Sequence, residues 1–251
     1  MEIIELKLSV TNCFLIKSPD DKYVLVDTGY EWDWELFRKR LKQIDVGFSE
    51  ISHIILTHHH DDHCGLLNQI VEQNNGICIV MSHLAKDLLT KGINDRSHGG
   101  GLLNKRIALL INVFLVPRKR IRARKWPMTF PPYYVRKNDA LVSGETRLSD
   151  IGIELSGRII ETPGHSVDSI SIIFNDGDCI VGDAAANMLQ FAGTKYCVIA
   201  LGDIDEYYES WRKIIAENAE RIFPAHGRPF GVDKLTDNIG KNKKENMVMH
   251  K

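Results

Sequence analysis

An α/β fold is the expectation for this chain, and three observations carry it. Short apolar runs alternate with helical spacing through the first third, in the order strand, loop, helix, strand. A strand-rich pattern returns after residue 157. In both halves, histidines or aspartates stand where an apolar run breaks into a small-residue turn, and in α/β proteins such loops carry the chemistry.

Glu2–Val10, Cys13–Lys17 and Tyr23–Val26 read as β-strands, with Ser18-Pro-Asp-Asp as the turn between the last two. Val26-Asp27-Thr28-Gly29 ends a strand in a glycine turn. Trp32–Ile44 has helical spacing, with Trp34, Phe37, Leu41 and Ile44 on one face. Ile51–Thr57 is a compact apolar run, read as a buried strand, and a histidine cluster follows it. Gly65–Gln73 is expected as a helix and Ile77–Met81 as another strand.

From about Lys91 to Pro132 the composition changes, and this stretch reads as an insertion in a single domain spanning 1–251. Leu102–Val116 is apolar on most faces and expected to be helical. Arg118–Lys125 is strongly basic. It reads either as a solvated loop or as a rim that attracts an anionic substrate. The 102–116 stretch could cover an acyl group, touch a membrane surface or pack a homodimer.

Strands resume at Arg158–Glu161, Ser169–Phe174 and Cys179–Val181, with Asn175-Asp176-Gly177 as a hairpin turn. Asp203–Ala219 is an amphipathic helix whose apolar face carries Ile204, Tyr207, Tyr208, Trp211, Ile214 and Ile215. The tail from Asp237 is polar and basic, and is expected to fray.

Composition removes several function classes. A net charge of −1 argues against a nucleic-acid partner. The five cysteines, at 13, 64, 78, 179 and 197, form no CxxC pair, which argues against a disulfide framework or a thiolate zinc site. No apolar run approaches the ~18 residues needed to span a bilayer. Met1–Val10 lacks the pattern of a secretion signal, so the default compartment is the cytoplasm.

The chemical signal is Thr57-His58-His59-His60-Asp61-Asp62-His63. Alternate side chains of an extended loop point the same way, so His58 and His60 can grip one cation. Asp62 and His63, beyond a bend, can face a second. Imidazole and carboxylate suit zinc, iron or manganese. His165 after Thr162-Pro163-Gly164, Asp183 after Gly182 and His226 after Pro224-Ala225 add three more donors at strand ends. His59 and Asp61 are expected to point away, His53, His83, His98 and His250 to be structural or solvated, and Cys64 to pack.

With Asn12-Cys-Phe-Leu-Ile, Val24-Leu-Val-Asp27-Thr-Gly29, the histidine motif, Thr162-Pro-Gly-His165, Gly182-Asp183 and Pro224-Ala-His226-Gly in this order, the chain resembles the metallo-β-lactamase-fold hydrolase superfamily. The resemblance implies an αββα four-layer sandwich made of two similar halves, with the site at one edge. It implies that His58, His60 and His165 hold one metal, that Asp62, His63 and His226 hold another, and that Asp183 bridges them. Asp27 would lie behind the ligands and orient one by hydrogen bonding. Two divalent ions, zinc before iron or manganese, would share a hydroxide that attacks an ester, lactone or thioester of a small molecule. Asp62 would also orient the nucleophile or shuttle a proton.

Departures narrow the branch. The β-lactamases of the superfamily generally lack a bridging aspartate, so Asp183 points to glyoxalase II-like thioesterases, lactonases or phosphodiesterases. The glutathione-binding helical region of glyoxalase II-type enzymes has little room in the 25 residues after His226. The lactonase tyrosine that follows the bridging aspartate is replaced by Ala184, Ala185, Ala186 and Asn187, which leaves Tyr196 as the candidate substitute. The tRNA-processing nucleases and the flavin-binding diiron members match less well. A phosphodiesterase using the basic stretch is the second reading. A non-catalytic binding module stabilised by metal is the third.

Overall fold

The computed structural model describes residues 1–95, 100–115 and 128–249. Two six-stranded sheets dominate them. The first has the spatial order β1 (Ile3–Lys7), β2 (Asn12–Lys17), β3 (Tyr23–Val26), β4 (Ile51–Ile55), β5 (Cys78–Ser82), β7 (Ala140–Val142). Its first three strands are antiparallel neighbours, and β3, β4, β5 and β7 run parallel. The second has the order β14 (Phe230–Gly231), β13 (Arg221–Pro224), β11 (Asp178–Gly182), β10 (Ile170–Phe174), β9 (Gly157–Glu161), β8 (Thr146–Arg147). Within it only β11 and β13 pair in parallel.

Parallel neighbours require crossovers, and helices supply them. α1 (Trp34–Gln43) joins β3 to β4. α2 (Asp61–Cys64) and α3 (Leu67–Gln73) join β4 to β5. α4 (Ala85–Lys91) and α5 (Lys105–Leu110) lie between β5 and β7. α6 (Ile204–Ala216) lies between β11 and β13, and α7 (Asp233–Asn238) follows β14.

The period of two along the strands sorts side chains into three cores. On β2, Cys13 and Leu15 face one way and join Phe37 and Leu41 of α1 and Leu67 and Ile70 of α3. Phe14 and Ile16 face the other way and meet Ile170, Ile172 and Phe174 of the second sheet. On β11, Ile180 joins that inter-sheet layer, whereas Cys179 and Val181 pack with Tyr207, Trp211 and Ile214 of α6. The layers therefore run helix, sheet, sheet, helix, as the motifs implied.

Within the stretch from 91 to 132, the helix expected over Leu102–Val116 runs from Lys105 to Leu115 among the described residues. The stretch contributes a two-residue strand, β6 (Gly101–Leu102), the short helix α5 and a π-helical turn over Ile111–Leu115. The basic run Arg118–Lys125 lies outside the described residues, as do Val116, His98 and His250. The tail does not fray where expected. β15 (Val248–Met249) pairs with β6, which also pairs with β12 (Ala200–Leu201). Glycine permits this approach: a Cβ on Gly101 would sit 2.3 Å from the Val248 carbonyl oxygen. α4 also escaped the sequence reading, although Lys91-Gly92 is a C-terminal signal and Gly92 adopts φ 64°.

Asp27, the histidine motif, His165, Asp183 and His226 all follow the C-terminal ends of strands, β3, β4, β9, β11 and β13 respectively. α6 fixes the end of β11 from behind. The Tyr207 hydroxyl donates to the Asp183 carbonyl at 3.0 Å and accepts from the Val198 N–H at 3.3 Å. The Trp211 indole donates to the Ala184 carbonyl at 2.6 Å. Tyr207 is wholly buried. Tyr207→Phe should therefore leave buried groups unpaired and cost about 1–3 kcal/mol. Thermal melts should drop by roughly 2–4 °C per kcal/mol for a chain of this size, and an unchanged melting temperature would contradict this reading of α6.

Candidate functional site

Beyond β4 the chain bends at Thr57 and at His59, His60 is extended with φ −69° and ψ 153°, and Asp61–Cys64 close one helical turn. His58 and His60 come to one side, and the turn brings Asp62 and His63 round beside them. Candidate donor atoms group as His58, His60 and His165; as His58, His63 and Asp183; and as Asp62, His63 and His226, each group lying within 4.8 Å. All seven residues singled out as donors thus come together from both halves of the sandwich.

Asp183 sits between the two outer groups. Its Oδ2 lies 3.3 Å from His165 Nε2, while its Oδ1 lies 3.2 Å from His226 Nε2 and 3.6 Å from His63 Nε2. Asp62 Oδ2 is 3.2 Å from His226 Nε2 and accepts a 3.2 Å hydrogen bond from the Thr11 hydroxyl. Gly182, immediately before Asp183, adopts φ 52°, and a Cβ there would lie 2.5 Å from the Thr57 hydroxyl. Only glycine lets β11 end this close to the histidine loop.

The donor set fits divalent cations on two grounds. First, His58 Nε2, His63 Nε2 and Asp183 Oδ1 are buried with no hydrogen-bond partner among the described residues. Buried polar atoms are rarely left so, because each costs about 1–3 kcal/mol. Second, the far nitrogen of four of the imidazoles is held. His63 Nδ1 lies 2.8 Å from Asp27, His165 Nδ1 2.9 Å from the Ala200 carbonyl, His58 Nδ1 3.2 Å from the Thr57 hydroxyl and His226 Nδ1 3.3 Å from the Val10 carbonyl. Metal-binding histidines are characteristically oriented in this way. Asp27 is itself fixed by the Thr57 N–H and hydroxyl, both at 2.8 Å. It therefore lies behind His63.

Electrostatics in the metal-free fold divides the imidazoles. Burial pushes His58 well below an ordinary imidazole, and His63, His60 and His165 add to the effect. His60 and His165 are lowered as well, again chiefly by burial. For His63 burial acts in the same sense, but Asp62, Asp27 and Asp183 outweigh it and raise the group well above its usual value. His226 is raised to about 10 because Asp183 and Asp62 outweigh its burial. Asp183 is held well below the ordinary carboxylate range, as His226, His165 and His63 overcome the effect of burial.

His59 and Asp61 point away from the cluster, as expected, but both are buried and have definite work. His59 lies 2.8 Å from Asp168 through Nδ1, and its Nε2 accepts from the Asp95 N–H at 3.0 Å. The Asp61 N–H donates to the Asn94 side-chain oxygen at 2.9 Å, and the Asn94 amide returns a 2.8 Å bond. Burial, then Asp62, pushes the Asp61 carboxyl up to about 6. Cys64 packs in the first core and donates to the His59 carbonyl at 3.2 Å.

The cluster opens into a cavity of about 250 Å³. Apolar walls come from Val10, Met128, Met188, Val198, Ile199 and Leu201. Outside the donor set, the charged residues in the lining are Asp61, Asp95, Asp203 and Glu206. Tyr30 also lines it, a residue that sequence reasoning passed over because no spacing signals it. Burial, with Asp62, Asp61 and Asp183 after it, holds the Tyr30 phenol protonated. Tyr196, the expected tyrosine, instead packs on Phe230 with ring centroids 4.7 Å apart.

Comparison with known proteins agrees with this arrangement. Residues 6–226 match the family model described as the metallo-beta-lactamase superfamily. A beta-lactamase-like protein 2 homolog of Caenorhabditis elegans is 23% identical over 244 residues, which cover 92% of this chain and 60% of that protein. A probable metallo-hydrolase of Bacillus subtilis, YqjP, is 23% identical over 238 residues, covering 86% and 66%. The chain thus spans less than two thirds of either relative's length. Among solved structures, BLEG-1 B3 metallo-beta-lactamase superimposes with a TM-score of 0.65 at 17% identity, covering 96% of this chain and 99% of that one. A metallo-beta-lactamase from Cronobacter sakazakii gives 0.58 at 16% identity, covering 90% and 77%. These structures share the fold. Because the family match takes in nearly the whole chain and every candidate donor, this protein belongs to the metallo-β-lactamase superfamily, whose metallo-hydrolases typically bind divalent metals.

Proposed function

We propose that this chain hydrolyses an uncharged carboxylic ester, lactone or thioester at a dinuclear site, in the glyoxalase II and lactonase-like branch of its superfamily. His58, His60 and His165 hold one divalent cation, Asp62, His63 and His226 hold the other, and Asp183 binds both. Zinc suits this nitrogen and oxygen set, and iron or manganese would be accommodated. The observation that carries the reading is the posture of Asp183, which turns one oxygen to each group of histidines.

Divalent cations bound here lower the pKa of water toward neutrality and polarise the attacked oxygen. The chain supplies the rest. The Asp27–His63 contact and the Ala200 carbonyl behind His165 set the ring orientations. Thr11 steadies Asp62 Oδ2, which is partly open to the cavity and placed to take or return a proton. The apolar walls exclude water and accept an acyl group or lactone ring.

A phosphodiesterase ranks second because, outside the donor set, the charged residues described in the lining are carboxylates, which repel a phosphate ester. A purely structural metal site is normally closed, whereas this cluster faces a cavity. Asn94, Asp95, Gly101 and Met128 line the cavity, and in this reading they belong to an insertion spanning about 91–132. Leu109 and Val113 are exposed on it, so a homodimer through 102–116 stays part of the proposal.

Two outcomes test the assignment. Asp183→Ala or His58→Ala should cut turnover of the cleaved ester or lactone by at least about 10³-fold while circular dichroism keeps its folded shape, and chelation should do the same reversibly. Full activity in a chelated sample would overturn it. Metal uptake should also expel protons. His226 is raised to about 10 by Asp183 and Asp62 against its burial, so it holds a proton at pH 7 that a ligand must lose, and His63 is shifted in the same direction. Affinity should rise with pH below about 10. Titration calorimetry in buffers of different ionisation enthalpy should show net proton release on metal uptake. No net release would contradict the assignment of these two histidines.

A further inference from the structure

We propose that Tyr30 touches the substrate, its phenol donating a hydrogen bond to an oxygen of the acyl group held over the donor cluster. This rests on the hydrolase reading above. Tyr30 lines the same cavity as Asp62, Asp183 and His226. The hydrogen bonds within its own turn run through its backbone: its N–H donates to Asp33 at 3.3 Å, its carbonyl accepts from the Asp33 N–H at 2.9 Å, and its side chain makes no capping bond. No hydrogen bond engages the hydroxyl among the described residues, which leaves it available to a molecule in the cavity that Tyr30 lines.

Its position is fixed relative to the donors. The Thr28 N–H and hydroxyl both bond to the His63 carbonyl at 2.8 Å, and the Gly29 carbonyl accepts from the Gly65 N–H at 3.0 Å. Gly65 has no side chain because the Tyr30 backbone occupies that space: a Cβ there would lie 2.7 Å from the Tyr30 carbonyl carbon. The ring stacks on Trp32, with centroids 4.1 Å apart and planes 14° off parallel. The turn that carries Asp62 and His63 and the turn that carries Tyr30 are therefore one rigid unit. A donor preorganised in this way stabilises charge that grows on an acyl oxygen without reorganising at the moment of reaction. The place where a lactonase tyrosine would follow the bridging aspartate is filled here by buried alanines, Ala184, Ala185 and Ala186, which offer no such donor.

The test compares metal-loaded wild type with Tyr30→Phe on p-nitrophenyl esters, γ-lactones and acyl thioesters. The expected result is a fall in kcat on the order of 10²-fold with KM within about threefold, at unchanged metal content and melting temperature. Tyr30→Leu, which also removes the ring, should lose as much kcat and raise KM. An active wild type with unchanged kcat in Tyr30→Phe overturns the role of Tyr30 alone, as does a loss that follows lost metal. A fully loaded wild type that cleaves no member of the panel overturns the hydrolase reading and this proposal together.

Discussion

Five imidazoles and two carboxylates are packed at one edge of this fold, most of them shielded from water. Taking ionisable groups out of water is expensive, and unpaired donor atoms add to the expense. The carboxylates of Asp62, Asp27 and Asp183 raise His63 and His226, so imidazoles and carboxylates partly offset one another. Among the described residues His58 Nε2, His63 Nε2 and Asp183 Oδ1 still make no hydrogen bond, although Asp183 Oδ1 lies in ion-pair range of His226. Divalent cations held here would satisfy these atoms and the carboxylates at once. The surrounding structure serves to hold this unfavourable cluster in place, through Asp27 and Thr57 on one side and the backbone carbonyls of Val10 and Ala200 on the other.

Neither half of the sandwich holds the cluster alone. The first sheet contributes the histidine motif and Asp27, and the second contributes His165, Asp183 and His226. Their relative position depends on the inter-sheet layer, where Phe14 meets Phe223 edge-on at 5.8 Å and Asn12 donates across to the Gly227 carbonyl at 2.7 Å. The backbone joins as well, since the Asn12 N–H bonds to the Ala225 carbonyl at 2.8 Å. Core packing and site geometry are thus one problem, because sliding the sheets would part the two groups of donors.

The motifs made much of this legible. Donors separated by more than 160 positions were found because each lies where a strand breaks into a small-residue turn, and such turns recur in a recognisable order. Local rules also placed α1 and α6 within a few residues, since long amphipathic helices carry a strong periodic signal. The misses have different causes. β6, β12, β14 and β15 are two residues each, too short for alternation to register. The tail looks polar, yet β15 is held by backbone bonds to β6 that no side-chain pattern encodes. Asp168, Asn94 and Tyr30 matter through contacts between distant segments, and nothing adjacent to them in sequence announces it.

The heptapeptide Thr57–His63 serves two masters. While His58, His60, Asp62 and His63 face the donor cluster, the intervening His59 and Asp61 grip Asn94 and Asp95 at the edge of the cavity. Asp168, three residues beyond His165, steadies the same histidine from the second half. The chain segment bordering the cavity is thereby moored to the donor-bearing loop itself. A change in that segment would be felt at the donors, and a change in the loop would be felt at the cavity wall.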